Sequence, residues 1–253
     1  MITFVGAGPG DPDLITVKGQ KAMQEADLVL YAGSLVPTAL LKWARPDADR
    51  RDSAGMALED QIELMSEADR AGKRVVRLHT GDPALYGATG EQMAVLDRLG
   101  ISYTIVPGVS SFLAAAASLG AELTLPGISQ TVIITRCAGR TPVPDGQELA
   151  ALAAHQATMA IFLSAGHMDE TLSDLLQHYP ASTPAAIVQR ASWPEEKIIR
   201  GSLGDLSGLA RDSGIDRTAM ILVGAALANQ GDPSRLYDAA FSHGCREASR
   251  DDV

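Results

Sequence analysis

The sequence predicts an α/β protein of two domains, with a parallel sheet in the first and a mixed sheet in the second. Short apolar runs alternate with helical patterns along almost the whole chain. In the first half each run returns only after a helical stretch, as a parallel sheet requires. At residues 123–130 (L-T-L-P-G-I-S-Q) the periodicity lapses around Pro126-Gly127, which reads as a linker. The expected division is an N-terminal domain at 1–122, a C-terminal domain at 131–242 and a polar, disordered tail at 243–253.

Residues 2–5 are an apolar run that fits a buried strand. A helical pattern follows at 17–26, a second strand at 28–31 and a short helix at 36–44. Leu58, Ile62 and Met65 fall at helical spacing within 58–71. A strand at 75–78, a helix at 90–99, a strand at 103–106 and an alanine-rich helix at 109–119 complete the first alternation. Beyond the linker, strands are expected at 131–135, 159–163, 185–189, 197–201 and 220–223, and helices at 147–155, 168–178 and 203–211. The strand at 197 follows that at 185 too closely for an intervening helix, so the two read as antiparallel.

The 253 residues are 46% apolar, ample for a core, and only 4% aromatic. A formal net charge of −10 argues against a nucleic-acid binder, which needs a basic face. Cys137 and Cys245 are the only cysteines and lack zinc-like spacing, so a reduced cytoplasm is the simplest home. No basic leader precedes the first apolar run, and no signal peptide is evident. The longest apolar run, 219–228, falls far short of the roughly 20 residues that cross a bilayer, so no membrane partner is expected.

The densest signal lies at the end of the first strand. Gly6, Gly8 and Gly10 are interleaved with Pro9 and followed by Asp11, Pro12 and Asp13. Glycine lets backbone approach a ligand and reach positive φ, while proline stiffens the turn and removes donors. Such a loop sits where α/β sheets bind ligands. The dinucleotide fingerprint G-x-G-x-x-G fails, because Asp11 stands at the third glycine and the aspartates would repel a pyrophosphate. Residues 79–87 (H-T-G-D-P-A-L-Y-G) end another strand on the same edge. Residues 107–111 (P-G-V-S-S) end a third, where Ser110 or Ser111 is either a site residue or a helix N-cap.

Together, G-x-G-P-G-D-x-x-L-[LI]-T, G-D-P-x-x-x-G and P-G-[VI]-[TS]-[SA], here at 6–16, 81–87 and 107–111, resemble the tetrapyrrole (corrin/porphyrin) methyltransferase family, which also includes diphthine synthase. The resemblance covers nearly the whole chain. It implies the tetrapyrrole methylase fold, two α/β domains with the active-site cleft between them, a homodimer, and S-adenosylmethionine as cofactor with S-adenosylhomocysteine as product. The family's cofactor contacts fall on Pro9, Thr80, Gly81, Asp82, Leu85, Ser110 and Ser111, and on Ser164, Ala191 and Ala219, with Gly8 and Gly10 in the same loop. Residues 135–144 (T-R-C-A-G-R-T-P-V-P), 191–198 (A-S-W-P-E-E-K-I), 31–36 (Y-A-G-S-L-V) and 54–56 (A-G-M) resemble one branch of the family. That branch methylates C11 of precorrin-4, giving precorrin-5 in cobalamin biosynthesis. Near-identical members use cobalt-precorrin-4, so the metal content of the substrate stays open.

Methyl transfer from a sulfonium to an electron-rich carbon asks mainly for alignment. No serine or cysteine pairs with a histidine as a nucleophile would. His79, His155, His167, His178 and His243 show no metal spacing, though His79 and His167 follow strands and could reach the cleft. No base is identified. Asp82 is the best candidate, with a turn brace as its alternative. A substrate rich in carboxylates needs local positive charge on this acidic chain. Arg136 and Arg140 suit that role by bidentate pairing, the alternative being solvated surface charges. Trp193, before Pro194, is either a lid over the macrocycle or a packing anchor, and Arg190 and Lys197 read as solvated. A different methyltransferase of the family and a tetrapyrrole-binding module without catalysis are the competing readings. The R-T-P-V-P segment opposes the first, and the intact glycine loops oppose the second.

Overall fold

The computed structural model describes residues 1–248. The chain forms two units, each built on a five-stranded sheet. The first comprises Met1–Ala115 with Arg190–Lys197, and the second Ala116–Gln189 with the described residues from Ile198 onward. The division falls within α4 (Ser111–Leu119). Of the expected tail, residues 249–253 lie outside the described residues, and in the described part His243 and Arg246 form an isolated bridge.

The first sheet contains β1 (Ile2–Gly6), β2 (Leu28–Tyr31), β3 (Asp49–Asp52), β4 (Val75–His79) and β5 (Tyr103–Val106) in the order β3-β2-β4-β1-β5. Every pairing is parallel. The central strands β1 and β4 are buried along their whole length, as expected of a parallel sheet covered on both faces. Alternation along β1 feeds two cores. Ile2 and Phe4 join Leu28, Leu30, Ile62, Met65 and Leu96 on one face, while Val5 and Ala7 join Met23, Val29, Leu40 and Leu78 on the other. Helices α1 (Val17–Glu25), α2 (Leu58–Arg70) and α3 (Thr89–Arg98) supply the cover. The Thr16 hydroxyl accepts the Gly19 N–H at 3.1 Å and starts α1.

Two expectations are corrected here. The helix expected at 36–44 is a 3-10 segment, Thr38–Trp43, entered from Pro37. Strand β3 was not expected at all. Its sequence, D-R-R-D, is exposed at every residue. It forms a sheet edge, where charge protects against edge pairing and leaves no apolar run to recognise.

The second sheet contains β6 (Val132–Arg136), β7 (Thr158–Phe162), β8 (Pro184–Gln189), β9 (Lys197–Ser202) and β10 (Ala219–Val223) in the order β6-β7-β10-β8-β9. β6 and β7 run parallel, and β10 is antiparallel to both β7 and β8, so the sheet is mixed. Helices α5 (Leu149–Ala153), α6 (Met168–Leu175) and α7 (Leu206–Asp212) are shorter than their sequence patterns. Their apolar faces close a core of Leu149, Met159, Ile161, Leu172, Leu175, Ile187, Leu206 and Ile221. Among the described residues, no helix is long and apolar enough to cross a membrane.

Candidate cofactor and substrate site

Three strand ends of the first unit meet through glycine. Beyond the parallel pairing of β1 with β4, Gly8 and Gly81 exchange both backbone hydrogen bonds, at 3.2 and 2.8 Å. Both take positive φ, +80° and +61°, a region that suits glycine. A Cβ at Gly6 would lie 2.5 Å from Gly108 Cα, and one at Gly108 would lie 2.1 Å from the Gly81 carbonyl oxygen. Side chains are therefore excluded where the three loops converge.

Asp82 joins two of these loops. Its Oδ1 accepts the Ala84 N–H at 2.8 Å and its Oδ2 accepts the Gly108 N–H at 2.9 Å. Both carboxylate oxygens thus brace backbone. Thr80 and Leu85 are half-buried beside it, while Ser110 is buried just before α4 and Ser111 opens that helix. The Ser110 carbonyl accepts the N–H groups of Leu113 and Ala114.

Residues 190–197 pack with this same unit. Ala191 is buried. The Ser192 hydroxyl accepts the Asp11 N–H at 3.0 Å, and the indole N–H of Trp193 donates to the Pro9 carbonyl at 2.9 Å. Trp193 thus packs on the glycine loop. Arg190 is not merely solvated. Its guanidinium carbon lies 5.6 Å from the Trp193 ring centroid, and Glu195 is 3.9 Å from its Nη1.

The remaining candidates lie in the second unit. Ser164 is fully buried. Its hydroxyl donates to the Phe162 carbonyl at 2.7 Å and accepts the Cys137 N–H at 2.9 Å, linking the ends of β6 and β7. Ala219 opens β10 opposite Gln189. The Arg136 guanidinium turns back on its own loop, donating to the carbonyls of Cys137 (3.0 Å), Thr141 (3.1 Å) and Pro142 (2.8 Å). Arg140 is exposed at the tip of that loop and has no hydrogen-bond or ion-pair partner among the described residues.

Backbone strain marks several of these positions. Non-glycine residues at positive φ include Tyr86 after Leu85, Leu163 before Ser164, Arg190 and Ser192 around Ala191, and Thr218 before Ala219, with φ between 50° and 68°. Such conformations cost about 1–3 kcal/mol each and concentrate at ligand sites.

His79 is buried at the end of its strand. It is the last residue of β4, only 6% exposed, and stacks on Phe4 at 6.0 Å. Burial, then the charge of Arg77, pushes its pKa down to about 3, and its Nε2 is buried without a hydrogen-bond partner among the described residues. Arg77 is itself buried, with its pKa lowered by burial to about 10, and among the described residues it is bonded only to neutral oxygens of Gln92, Gln61 and Leu30. His167 is exposed, 3.6 Å from Glu170. Among the described residues, no group of histidine, cysteine and carboxylate side chains could hold a metal.

Sequence reasoning missed Asp52. Its Oδ1 accepts the N–H groups of Gly33 and Ala54, each at 2.9 Å. Those bonds, Ala54 first, lower its pKa. The segments at 31–36 and 54–56 are therefore one structure, joined through β3. Trp43 was missed too. Its indole N–H donates to the Pro12 carbonyl at 3.1 Å.

The donor set of the glycine loop fits S-adenosylmethionine better than a phosphate ligand. The loop offers backbone groups and aspartates, and Lys42, the cation at 2.9 Å from Asp13, is engaged there. A sulfonium suits such a surroundings, whereas a pyrophosphate does not.

The family model for tetrapyrrole (corrin/porphyrin) methylases matches residues 1–207. The chain is 50% identical, over 98% of its length and 97% of the relative's, to a cobalt-precorrin-4 C(11)-methyltransferase of Methanocaldococcus jannaschii. It is also 50% identical, over 96% of its length and 97% of the relative's, to a precorrin-4 C(11)-methyltransferase of Pseudomonas aeruginosa. Among solved structures it resembles a cobalt precorrin-4 methyltransferase of cobalamin biosynthesis (TM-score 0.87, 49% identity, 92% of this chain and 96% of that one). It also resembles a uroporphyrin-III C-methyltransferase from Thermus thermophilus complexed with S-adenosylhomocysteine (TM-score 0.77, 28% identity, 90% and 99% covered). The chain belongs to the tetrapyrrole (corrin/porphyrin) methylase family.

Proposed function

We propose that the chain is an S-adenosylmethionine-dependent C-methyltransferase that methylates C11 of precorrin-4, giving precorrin-5 in cobalamin biosynthesis. The observation that carries this reading is 50% identity, spanning both units, to enzymes named for that reaction. S-adenosylmethionine, when bound, supplies an electrophilic methyl group, whose C–S bond breaks as the new C–C bond forms and whose electron pair stays on sulfur in S-adenosylhomocysteine.

The chain's own residues bind and orient. Gly8, Pro9, Gly10, Thr80, Gly81, Asp82, Leu85, Ser110 and Ser111 form the cofactor-binding edge of the first unit, with Ala191 in the segment packed against it. Ser164 and Ala219, each beside a strained residue, complete the cofactor set. Asp82 fixes the spacing of two loops, and no proton transfer is assigned to it. Arg140, exposed and unpaired, is the contact for a substrate carboxylate, and Arg136 shapes the loop that presents it. Holding two reactants in line supplies several kcal/mol of the barrier reduction without a side-chain base. The working form is read as a cytoplasmic homodimer, on the family resemblance.

The cobalt-bearing substrate is a second reading, favoured by the equal identity to the Methanocaldococcus enzyme. One incubation tests both. The purified protein is given S-adenosylmethionine and a precursor methylated at C1, C2, C17 and C20, with and without cobalt, and the products are weighed by mass spectrometry. Addition of one methyl group at C11 is expected. Methylation elsewhere, or none with either substrate, overturns the reading.

A further inference from the structure

The chain has two tryptophans, and both donate their indole N–H to the same glycine loop. Trp193 bonds the Pro9 carbonyl at 2.9 Å and Trp43 bonds the Pro12 carbonyl at 3.1 Å. The loop does little to hold itself. Pro9 and Pro12 have no N–H, and among the described residues its internal hydrogen bonds are the Asp13 N–H donating to the Asp11 carboxylate and the turn in which the Leu14 and Ile15 N–H groups donate to the Asp11 and Pro12 carbonyls.

The two indoles are themselves secured. The Trp193 ring covers Gly10 so closely that a Cβ there would fall 2.0 Å from the indole Cδ1. Next to it, Ser192 accepts the Asp11 N–H at 3.0 Å, and the Ser192 N–H is bound by the Glu196 carboxylate at 2.7 Å. On the other side, the Lys42 ammonium lies 4.7 Å from the Trp43 ring centroid and 2.9 Å from Asp13.

We propose that Trp193 and Trp43 are positioning residues that clamp residues 9–12 in their cofactor-binding shape. Trp193 then acts on the cofactor through Pro9 and Gly10, and is not a lid over the macrocycle. The proposal rests on the reading of this loop as the S-adenosylmethionine site. Ordering a loop before binding removes its ordering cost from the affinity. The A-S-W-P-E-E-K segment, which marks the branch, thereby serves the part of the site that branches share.

The test compares wild type, Trp193→Phe, Trp43→Phe and Gly8→Val. Phenylalanine keeps a ring on the loop and deletes the N–H. Each phenylalanine variant is expected to bind S-adenosylhomocysteine about 2- to 10-fold more weakly by calorimetry, the range for one net hydrogen bond. KM for S-adenosylmethionine is expected to rise, while KM for the macrocycle holds. A cycle gives a second arm that does not depend on Trp193→Phe folding. Gly10→Ala is expected to weaken cofactor binding in the wild type and to add nothing in a Trp193→Ala background, because the collision it causes is with the indole. Unchanged cofactor affinity in both phenylalanine variants, or additive effects in the cycle, overturns the clamp. A macrocycle KM that rises alone in Trp193→Phe restores the lid. If Gly8→Val binds S-adenosylhomocysteine as wild type does, the cofactor reading itself fails, whatever the tryptophan variants do.

Discussion

Residues 9–12 of the first unit are hydrogen-bonded to side chains distant in sequence: Trp43 and Trp193 donate to the Pro12 and Pro9 carbonyls, and the Ser192 hydroxyl accepts the Asp11 N–H. Residues 137–142 of the second unit receive hydrogen bonds from the neighbouring Arg136. One loop is shaped from outside and the other mainly from within. The first must fit backbone against backbone, so its tolerance is set at glycine positions. The second is exposed beyond Cys137, and the Arg136 guanidinium supplies three of its hydrogen bonds, beside the Cys137 N–H bond to Ser164 and the Gly139 N–H bond to the Thr141 carbonyl. Damage should accordingly follow different rules in the two places.

The sharpest break is expected in the first. Gly8 sits at φ +80°, and a Cβ there would be 3.0 Å from the Leu14 carbonyl oxygen. A β-branched residue in that conformation is strained by about 1–3 kcal/mol or more, and the loop would shift to relieve it. Gly8→Val is expected to abolish calorimetric binding of S-adenosylhomocysteine while circular dichroism still reports a folded chain. Wild type should bind that ligand and not NAD. Retained binding in Gly8→Val would reduce the loop to an ordinary turn.

Arg136→Ala probes the second loop. It removes three hydrogen bonds to carbonyls, each made by a cation and worth about 1.5–3 kcal/mol if buried and less where exposed. Macrocycle affinity is expected to fall about tenfold or more, with cofactor affinity intact. Arg140→Ala should lose less, about 3- to 10-fold, since it removes one solvated contact. Arg136→Lys should not recover the loop, because an ammonium cannot reproduce the planar fork. Equal losses for both alanine variants, fully recovered by lysine, would mean that charge alone matters and that loop shape does not.

The units should also differ in acid. His79 titrates at about 3 in the folded chain against an ordinary value of 6.5. Between those values the unfolded chain binds the extra proton, so stability falls as pH drops from 6.5 toward 3, by at most about 1.4 kcal/mol per pH unit from this group. His79→Leu should flatten that slope in denaturant titrations at pH 6.5, 5.5 and 4.5. Amide exchange at the lower pH should open β1 and β4 of wild type before the strands of the second sheet. An unchanged slope in His79→Leu would place the acid sensitivity elsewhere.

The glycine spacing at residues 6–10 and 81–87 and the alternation of strands with helices were legible because both follow from backbone geometry and apolar periodicity. Strand β3 was not, since an exposed D-R-R-D edge has neither. With it went the link from Asp52 to Gly33 and Ala54. Trp193 stays open between lid and anchor in the sequence, because sequence shows an indole but not the carbonyl it meets. His79 was misplaced by one strand residue. The run that carries it reads V-V-R-L-H, and a buried histidine looks like the first loop residue after a strand until Phe4 is in place beside it.

The smallest effect is expected at Asp82, and it separates brace from base. As a brace, the carboxylate accepts two backbone N–H groups, one on each oxygen. Asparagine keeps one acceptor and replaces the other with an NH₂ group that cannot accept, so Asp82→Asn loses one of the two bonds and sets a donor against a donor. The Gly108 and Ala84 loops should loosen, and the loss should appear in cofactor affinity. Single-turnover methyl transfer at saturating cofactor should then fall by about tenfold or less. A lost general base would act on the other quantity, lowering the chemical step by about 10²–10⁴-fold with cofactor affinity preserved. Measuring both numbers on one variant decides it. The brace predicts weaker binding with nearly normal chemistry, as expected where in-line alignment on a backbone-built edge provides most of the rate. The opposite pattern would show that Asp82 moves a proton.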